Sequence, residues 1–275
     1  GCLIYANMSR PDIAYPISNV ARFMGGWNKE HYDAALRILS FLYTTRTRTL
    51  VLKPANESEP MLWGYVDANN MDSRESEVND DKWKPQGGYI MVWDGCIVSW
   101  RSARLKSRVL SSMESEYYQA CEGAKEVIWL RRLVSELGFD VMNKPTPIYE
   151  DNKACIAYSK NNTCHDRTKH IDNKAYFLRD QVKNGEIELI HIGTNDQLAD
   201  MMTKTQEKRT FLDHTERLFS DTLQQPKRSY VSQVRTEVKN SLLKEECSCL
   251  SCFVGNRQHV RKCIVSKLVR KLYRK

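Results

Sequence analysis

The chain of 275 residues is 41% hydrophobic and 28% charged, which is typical of a globular protein, and no stretch approaches the roughly 20 apolar residues of a membrane span. It begins without a signal-peptide pattern and without Met, which indicates a fragment of a longer polypeptide. The net charge of +8 is uneven, because residues 221–275 carry 13 Lys and Arg against 4 Asp and Glu. This basic tail favours a nucleic acid or another anionic partner, or else it is a solvated extension.

Residues 1–50 are predicted to form a helical hairpin. Apolar residues recur at helical spacing over 13–24 and again over 31–43, with Gly25-Gly26 between the two runs. The second run places five residues on its predicted apolar face: Tyr32, Ala35, Leu36, Leu39 and Leu42. Prolines and polar residues over 51–61 then predict a linker and a domain boundary.

The pattern changes to short strands from residue 62 onward. The first strand ends at Asp67, and Asp94-Gly95 lies between two further strand-like runs, which is a strong hairpin signal. A long helix is predicted over 111–137, with a capping-box sequence at its start and Gly138 after its end.

The second half of this region alternates between strands and helices. Strands are predicted over 147–151 and 187–192, and helices over 153–159, 169–182, 196–204 and onward to about 219. The order of elements predicts an α/β domain with a mixed sheet over residues 62–219.

Four carboxylates stand at the predicted strand ends and on the helices. Asp67 and Asp151 end the first and fourth strands, Glu114 lies in the first turn of the long helix, and Asp200 lies in a later helix. If the two strands are neighbours, Asp67 and Asp151 come close together, and carboxylates held together repel each other unless cations neutralise them. Such oxygen-rich sites select Mg²⁺ or Mn²⁺, and two such ions can promote hydrolysis of a phosphodiester. The alternative is that Asp151 and Glu114 cap helices.

Five short motifs surround these acids in a fixed order, at residues 65–69, 111–117, 149–154, 167–172 and 196–204. Together they resemble the ribonuclease H region of copia-type retrotransposon Pol polyproteins. The motif at residues 10–14 resembles the segment that follows the reverse transcriptase palm in the same polyproteins, so the likeness covers roughly residues 1–219.

The resemblance implies an α/β ribonuclease H-like fold, a mixed five-stranded sheet with flanking helices, preceded by a helical hairpin that resembles the end of a reverse transcriptase. It implies a site of Asp67, Glu114, Asp151 and Asp200 that binds two Mg²⁺ or Mn²⁺ ions and hydrolyses the RNA strand of RNA–DNA hybrids. Glu116 is the alternative glutamate. It points about 200° away from Glu114 on a helix, so only one of the two can face the sheet. Glu114 is preferred because it matches the family pattern at the helix start.

The expected partners are the RNA–DNA hybrid and the reverse transcriptase portion of the same polyprotein, with no membrane. The expected location is intracellular, in the cytoplasm, a virus-like particle or the nucleus. The alternative function is that of a catalytically inactive retrotransposon remnant that acts at most as a nucleic-acid-binding module.

Two further sets of residues are candidates for nucleic-acid contacts. His170 and His191 could assist product release or bind phosphate, or could be structural. A basic run suited to phosphates precedes the long helix, or is a solvated loop: Arg101, Arg104, Lys106 and Arg108. The loop over 70–86 is longer and more acidic than the family pattern, and residues 84–88 also depart from it.

Other functional classes fit less well. Ala68 follows Asp67 where the reverse transcriptase motif needs a second Asp, and no His/Cys module of the integrase kind precedes the domain. The tail over 220–275, which need not fold, approaches a zinc knuckle but has the wrong inner spacings between Cys249, Cys252, His259 and Cys263, and Cys247 is an alternative ligand. The same tail could instead be unrelated sequence, and residues 260–275 could form a basic amphipathic helix.

Overall fold

A computed structural model describes residues 1–52, 61–69, 84–109, 111–160 and 172–226 of the chain. Five strands form one sheet: β1 (Leu62–Asn69), β2 (Gln86–Trp93), β3 (Cys96–Arg104), β4 (Thr146–Glu150) and β5 (Ile187–His191). The described residues also form eight α-helices: α1 (Cys2–Ala6), α2 (Ala14–Ala21), α3 (Lys29–Thr44), α4 (Ser112–Glu136), α5 (Lys153–Lys160), α6 (Asp172–Lys183), α7 (Asp200–Thr203) and α8 (Lys208–Leu218). Short 3₁₀ turns span Pro11–Ile13 and Thr194–Asp196.

The strands lie in the order β3-β2-β1-β4-β5. β2 pairs antiparallel with both β1 and β3, β4 is parallel to β1, and β5 is parallel to β4. The hairpin between β2 and β3 turns at Asp94 and Gly95, with φ values of 49° and 79°, which is the left-handed backbone that a two-residue hairpin loop requires. The mixed five-stranded sheet of the ribonuclease H-like fold is therefore confirmed.

The sheet has an apolar core on each face because side chains alternate along its strands. On one face Leu62 and Val66 pack with buried residues of α4, α5 and α6. On the other face Trp63 and Tyr65 pack with residues of α7 and α8. Both faces are covered, so the strands read as almost continuous buried runs.

Helix α4 lies very close to β1. Its N-cap is Ser111, whose hydroxyl accepts a hydrogen bond from the Glu114 N–H at 3.2 Å, and Gly138 follows its end with a φ of +93°. Gly123 is what allows the close approach, since a Cβ there would lie 2.4 Å from Cγ1 of Val66. The rotation of α4 about its axis is therefore fixed by contact with the strand that carries Asp67.

The predicted helical hairpin of the N-terminal segment is present as α2 and α3, but three of the five residues predicted for the apolar face of α3 are exposed. Tyr32, Leu36 and Leu39 are 55%, 44% and 54% exposed. The packed stripe runs instead through buried Ile38, with Phe41 and Leu42 beside it, against Ile13 and Ile17. Apolar residues occur on two sides of this helix, and only tertiary contact selects one of them.

The helical segment, residues 1–52, packs on the sheet unit, which consists of β1 to β5 and helices α4 to α8. The Trp100 indole donates to the carbonyl of Asn7 at 3.2 Å, and the Arg22 guanidinium donates to Oε1 of Gln86 at 2.8 Å. Arg10 forms a buried ion pair with Asp12 at 2.7 Å and lies over the Phe41 and Phe219 rings. One compact unit thus extends over residues 1–226. The predicted boundary at 51–61 stays a prediction, because residues 53–60 lie outside the described ranges.

Several predictions fall on residues that the structure does not describe. These are most of the acidic loop over 70–86, His170, and the tail from residue 227 with its predicted zinc ligands and basic helix. Among the described residues, no helix combines the length and the apolar character needed to span a bilayer.

Candidate metal-binding site

Two of the predicted acids are brought together by the pairing of β1 with β4. The strands run parallel with Gly64 beside Ile148 and Tyr65 beside Tyr149, and continuing this register by two residues puts Asp67 beside Asp151. β1 itself continues beyond Asp67 to Asn69. Asp67, Asp151 and Asp200 each offer a carboxylate oxygen, and these three atoms lie within 4.8 Å of one another.

Gln197 connects the helix of Asp200 to both strands. Its buried side-chain amide donates to the carbonyl of Val66 at 2.9 Å and to that of Tyr149 at 3.4 Å. Its Oε1 accepts the Ala199 N–H at 3.3 Å. One side chain therefore bridges the backbones of β1 and β4 and positions the start of α7, which begins at Asp200.

Glycine in β2 is the second reason that α7 reaches the site. Gly88 pairs with Asp67 across the sheet, and a Cβ at Gly88 would lie 2.2 Å from Cβ of Met202 in α7. The Ser102 hydroxyl of β3 also donates to the Met202 carbonyl at 2.5 Å. The helix therefore lies directly on the strand backbone beside Asp67.

The structure brings Glu116, rather than Glu114, to the acids. The Glu116 carboxylate accepts the Ala68 N–H at 2.7 Å, one residue beyond Asp67. Glu114 is buried in the first turn of α4, and no grouping of metal-ligating side chains among the described residues includes it. The two glutamates point about 200° apart, so the rotation of α4 that directs Glu116 at the strand ends turns Glu114 away.

Glu150 is a fifth acid that sequence reasoning did not select. It is the last residue of β4 and is fully buried. Glu116, Glu150 and Asp151 form a second group whose ligand atoms lie within 4.8 Å of one another. The signal in the sequence was present as two consecutive acids at a strand end, but the spacing alone favoured only the second of them.

Thr203 and Lys204, at the C-terminal end of α7, contact the Asp67 and Asp200 carboxylates. The Thr203 hydroxyl donates to Oδ2 of Asp67, and the Lys204 ammonium pairs with Oδ2 of Asp200 at 2.9 Å. Neither Thr203 nor Lys204 was selected as a site residue, although both belong to the motif over 196–204. Their position beside the acids depends on α7 lying against β1 and β2.

Burial and mutual repulsion raise the carboxyl pKa values. The pKa of Asp67 is raised to about 7, first by burial and then by the Asp200 carboxylate, against the opposing effects of Lys204 and Thr203. Burial, followed by neighbouring carboxylates, also raises the pKa of Glu116 and of Glu150. Although burial lowers the pKa of Lys204, the carboxylates around it raise it above its ordinary value. The site therefore attracts cations.

The residues that are predicted to contact nucleic acid lie at the end of the sheet that carries the acids, or beside that end. His191 ends β5 as the register partner of Glu150 and is exposed. Arg104 ends β3, which runs in the same direction as β1, and Lys106 and Arg108 follow it. Arg101 instead lies near Glu122 of α4 at 3.6 Å.

The donor set fits divalent ions that prefer oxygen. Every side chain in the two groups is a carboxylate, as Mg²⁺ and Mn²⁺ sites require, and softer Cys or His ligands are absent from both groups. Asp67, Glu116, Glu150, Asp151 and Asp200 are thus the carboxylates that the geometry offers to a divalent cation.

A mixed sheet in this strand order, with acids gathered where β1 and β4 end, defines a ribonuclease H-like protein. The chain is 37% identical over 215 residues to the retrovirus-related Pol polyprotein from transposon TNT 1-94 of Nicotiana tabacum, covering 77% of this chain and 15% of that protein. It is 34% identical over 211 residues to the Pol polyprotein from transposon RE1 of Arabidopsis thaliana, covering 77% and 14%. The chain belongs to the family of retrovirus-related Pol polyproteins of copia-type transposons.

The chain spans only 15% and 14% of the length of these two relatives. No protein-family model matches it. Among solved structures it is similar to RNase H1 from the halophilic archaeon Halobacterium salinarum NRC-1, with a TM-score of 0.35 and 14% identity. That likeness covers 56% of this chain and 98% of the other.

Proposed function

We propose that the chain is a metal-dependent endonuclease that hydrolyses the RNA strand of RNA–DNA hybrids during reverse transcription of a copia-type retrotransposon. The observation that carries the proposal is the convergence of Asp67, Asp151 and Asp200 within 4.8 Å, with Glu116 beside them on α4. Membership of the Pol polyprotein family supports a nuclease role. The reverse transcriptase part of the same polyprotein is the proposed partner, and an intracellular location is proposed with it.

The residues of the site hold and orient divalent ions. Asp67, Asp151, Asp200 and Glu116 would bind two Mg²⁺ or Mn²⁺ ions, which when bound activate a water and stabilise the leaving oxygen of a phosphodiester. Gln197 and Gly88 keep the three strand and helix ends in place, so that the carboxylates need not reorganise during the reaction.

Lys204 has a separate role at the same site. Its ammonium stays protonated beside Asp200 and neutralises part of the carboxylate charge. It thereby reduces repulsion among the carboxylates before the ions bind.

Substrate binding is proposed for the basic end of β3. Arg104 lies across β2 from the Asp67 strand, and Lys106 and Arg108 extend the positive charge away from the acids. Phosphate contacts of this kind position a duplex, and a hybrid is recognised largely by its shape and its 2′-OH groups. We expect these residues to contact phosphates while the acids act on the RNA strand.

The test is cleavage of an end-labelled RNA–DNA hybrid by the purified chain in Mg²⁺, with EDTA and the Asp67→Asn variant as controls. We expect endonucleolytic products from the RNA strand alone, and none from a DNA duplex. No cleavage above the Asp67→Asn background would overturn the proposal. If that protein still bound the hybrid, the result would favour an inactive nucleic-acid-binding module.

A further inference from the structure

We propose that Glu150 is a metal ligand, and that together with Glu116 and Asp151 it forms a second cation position beside that of Asp67, Asp151 and Asp200. The inference rests on the proposed metal-dependent function and deepens it. It adds a fifth carboxylate to the site.

The position of Glu150 supports this role. It is fully buried at the end of β4, and it places a carboxylate oxygen within 4.8 Å of those of Glu116 and Asp151. Its Oε1 accepts the Asn152 N–H at 3.0 Å, whereas its Oε2 is buried and accepts no hydrogen bond from the described residues. A buried carboxylate oxygen without a partner is strongly unfavourable, so a ligand is expected to satisfy it.

The two carboxylate groups share one residue. Asp151 belongs to the group with Asp67 and Asp200 and also to the group with Glu116 and Glu150. A shared carboxylate can bridge two cations, and two-metal nuclease sites hold their ions about 4 Å apart. The arrangement of the five acids therefore fits two adjacent ions with Asp151 between them.

The charges of the residues also fit two ions. The five carboxylates carry five negative charges when ionised, and the paired Lys204 ammonium carries one positive charge. Two divalent cations would then bring the site to neutrality. Without the Glu150 carboxylate, the same two ions would leave one net positive charge in a largely buried site until the substrate phosphate binds, which disfavours binding of the second ion.

A neutral Glu150 is the competing explanation. If its carboxyl group stayed protonated with the ions bound, it would act only as a packed polar side chain. Glutamine has nearly the same shape and keeps an oxygen for the Asn152 N–H, so Glu150→Gln would then leave metal binding unchanged. A ligand role predicts the opposite result.

The test counts Mn²⁺ bound by the full-length chain, by electron paramagnetic resonance of the free ion. We expect two Mn²⁺ in the wild type. In Glu150→Gln we expect one of the two affinities to fall by about ten-fold to a hundred-fold, while the other changes little. The matched control is Glu136→Gln at the exposed far end of α4, about 30 Å along the helix from Glu116, which should bind as the wild type does.

Thermal unfolding provides a second readout that packing alone would not produce. Metal-free Glu150→Gln should melt no lower than the wild type because a repelling carboxyl group is removed, yet it should gain less stability from Mn²⁺. Glu150→Met, similar in volume and unable to bind a hard cation, serves if the glutamine variant fails to fold. Two unchanged Mn²⁺ affinities in either folded variant would overturn the Glu150 proposal. A wild type that binds no Mn²⁺ would overturn the metal-dependent function itself.

Discussion

The N-terminal helices expose many of their large apolar side chains, whereas the sheet unit buries a cluster of carboxylates. Helix α4 buries 14 of its 25 residues, including two glutamates, whereas α3 buries only Ile38 of its 16. More than half of the exposed large apolar side chains in the described ranges lie within the first 52 residues. Close packing at Gly88 and Gly123 keeps the carboxylates of the sheet unit near one another. The helical segment has few buried residues by comparison. We therefore expect that a loss of stability in the helical segment leaves the geometry of the acids largely unchanged.

The largest expected effect on stability comes from the anchor of the helical segment. Arg10→Met should lower the free energy of unfolding by about 3 kcal/mol, because among the described residues only Arg48, at 4.0 Å, would be left to compensate the buried Asp12 carboxylate. Urea denaturation measures this, with Arg37→Met on the exposed side of α3 as the control. Hybrid cleavage by the folded fraction should change little. A large loss of specific activity would contradict the separation of the two regions.

The pH dependence of the metal-free protein reports on the acids of the sheet unit. The pKa of Asp67 in the folded protein is raised to about 7 from an ordinary value near 4. The folded state therefore favours the protonated carboxyl group, and this contribution to stability is fully present below about pH 4 and is lost as the pH rises through 7. In EDTA we expect unfolding at pH 8 to require less free energy than at pH 5, by about 2 kcal/mol from Asp67 and by a further amount from Glu116 and Glu150, whose pKa values are also raised. Asp67→Asn should reduce this dependence by the share that Asp67 contributes, and Mg²⁺ should restore stability at pH 8. A metal-free protein that is more stable at pH 8 would disprove the repulsion.

Gly88→Ala tests whether the acids depend on the close contact of α7 with β2. The new Cβ would lie 2.2 Å from Cβ of Met202, so α7 must move and carry Asp200 with it. We expect a loss of about 1–3 kcal/mol in stability and about a hundred-fold in cleavage rate. Gly26→Ala in the helical segment, where nothing lies within 4 Å, is the matched control and should affect neither quantity. Equal rates for Gly88→Ala and the wild type would exclude this positioning role.

The smallest effect is expected on the outer face of α3. Leu36→Gln and Leu39→Gln should each change the free energy of unfolding by less than about 0.5 kcal/mol, because both side chains are about half exposed. Ile38→Ala, between them in sequence but buried, should cost about 2 kcal/mol. Similar losses at all three positions would show that the outer face is packed.

Most of the fold could be predicted from local signals, and part of the site could as well. Asp94-Gly95 determines a hairpin because its backbone must adopt positive φ, and strand ends place acids at one edge of a sheet. The choice between Glu114 and Glu116 could not be made this way. Both lie in the first turns of α4, and the decision depends on how Gly123 fits against Val66.

The sequence by itself determined the order of the elements, the hairpin, three of the converging acids and the Pol polyprotein family. Tertiary structure alone decided which glutamate reaches Asp67, that Glu150 joins the site, and which stripe of α3 is packed. The physical reason is that periodicity and turn chemistry act within a few residues along the chain. The rotation of a helix and the approach of α7 to β2 are instead set by contacts between residues far apart in sequence.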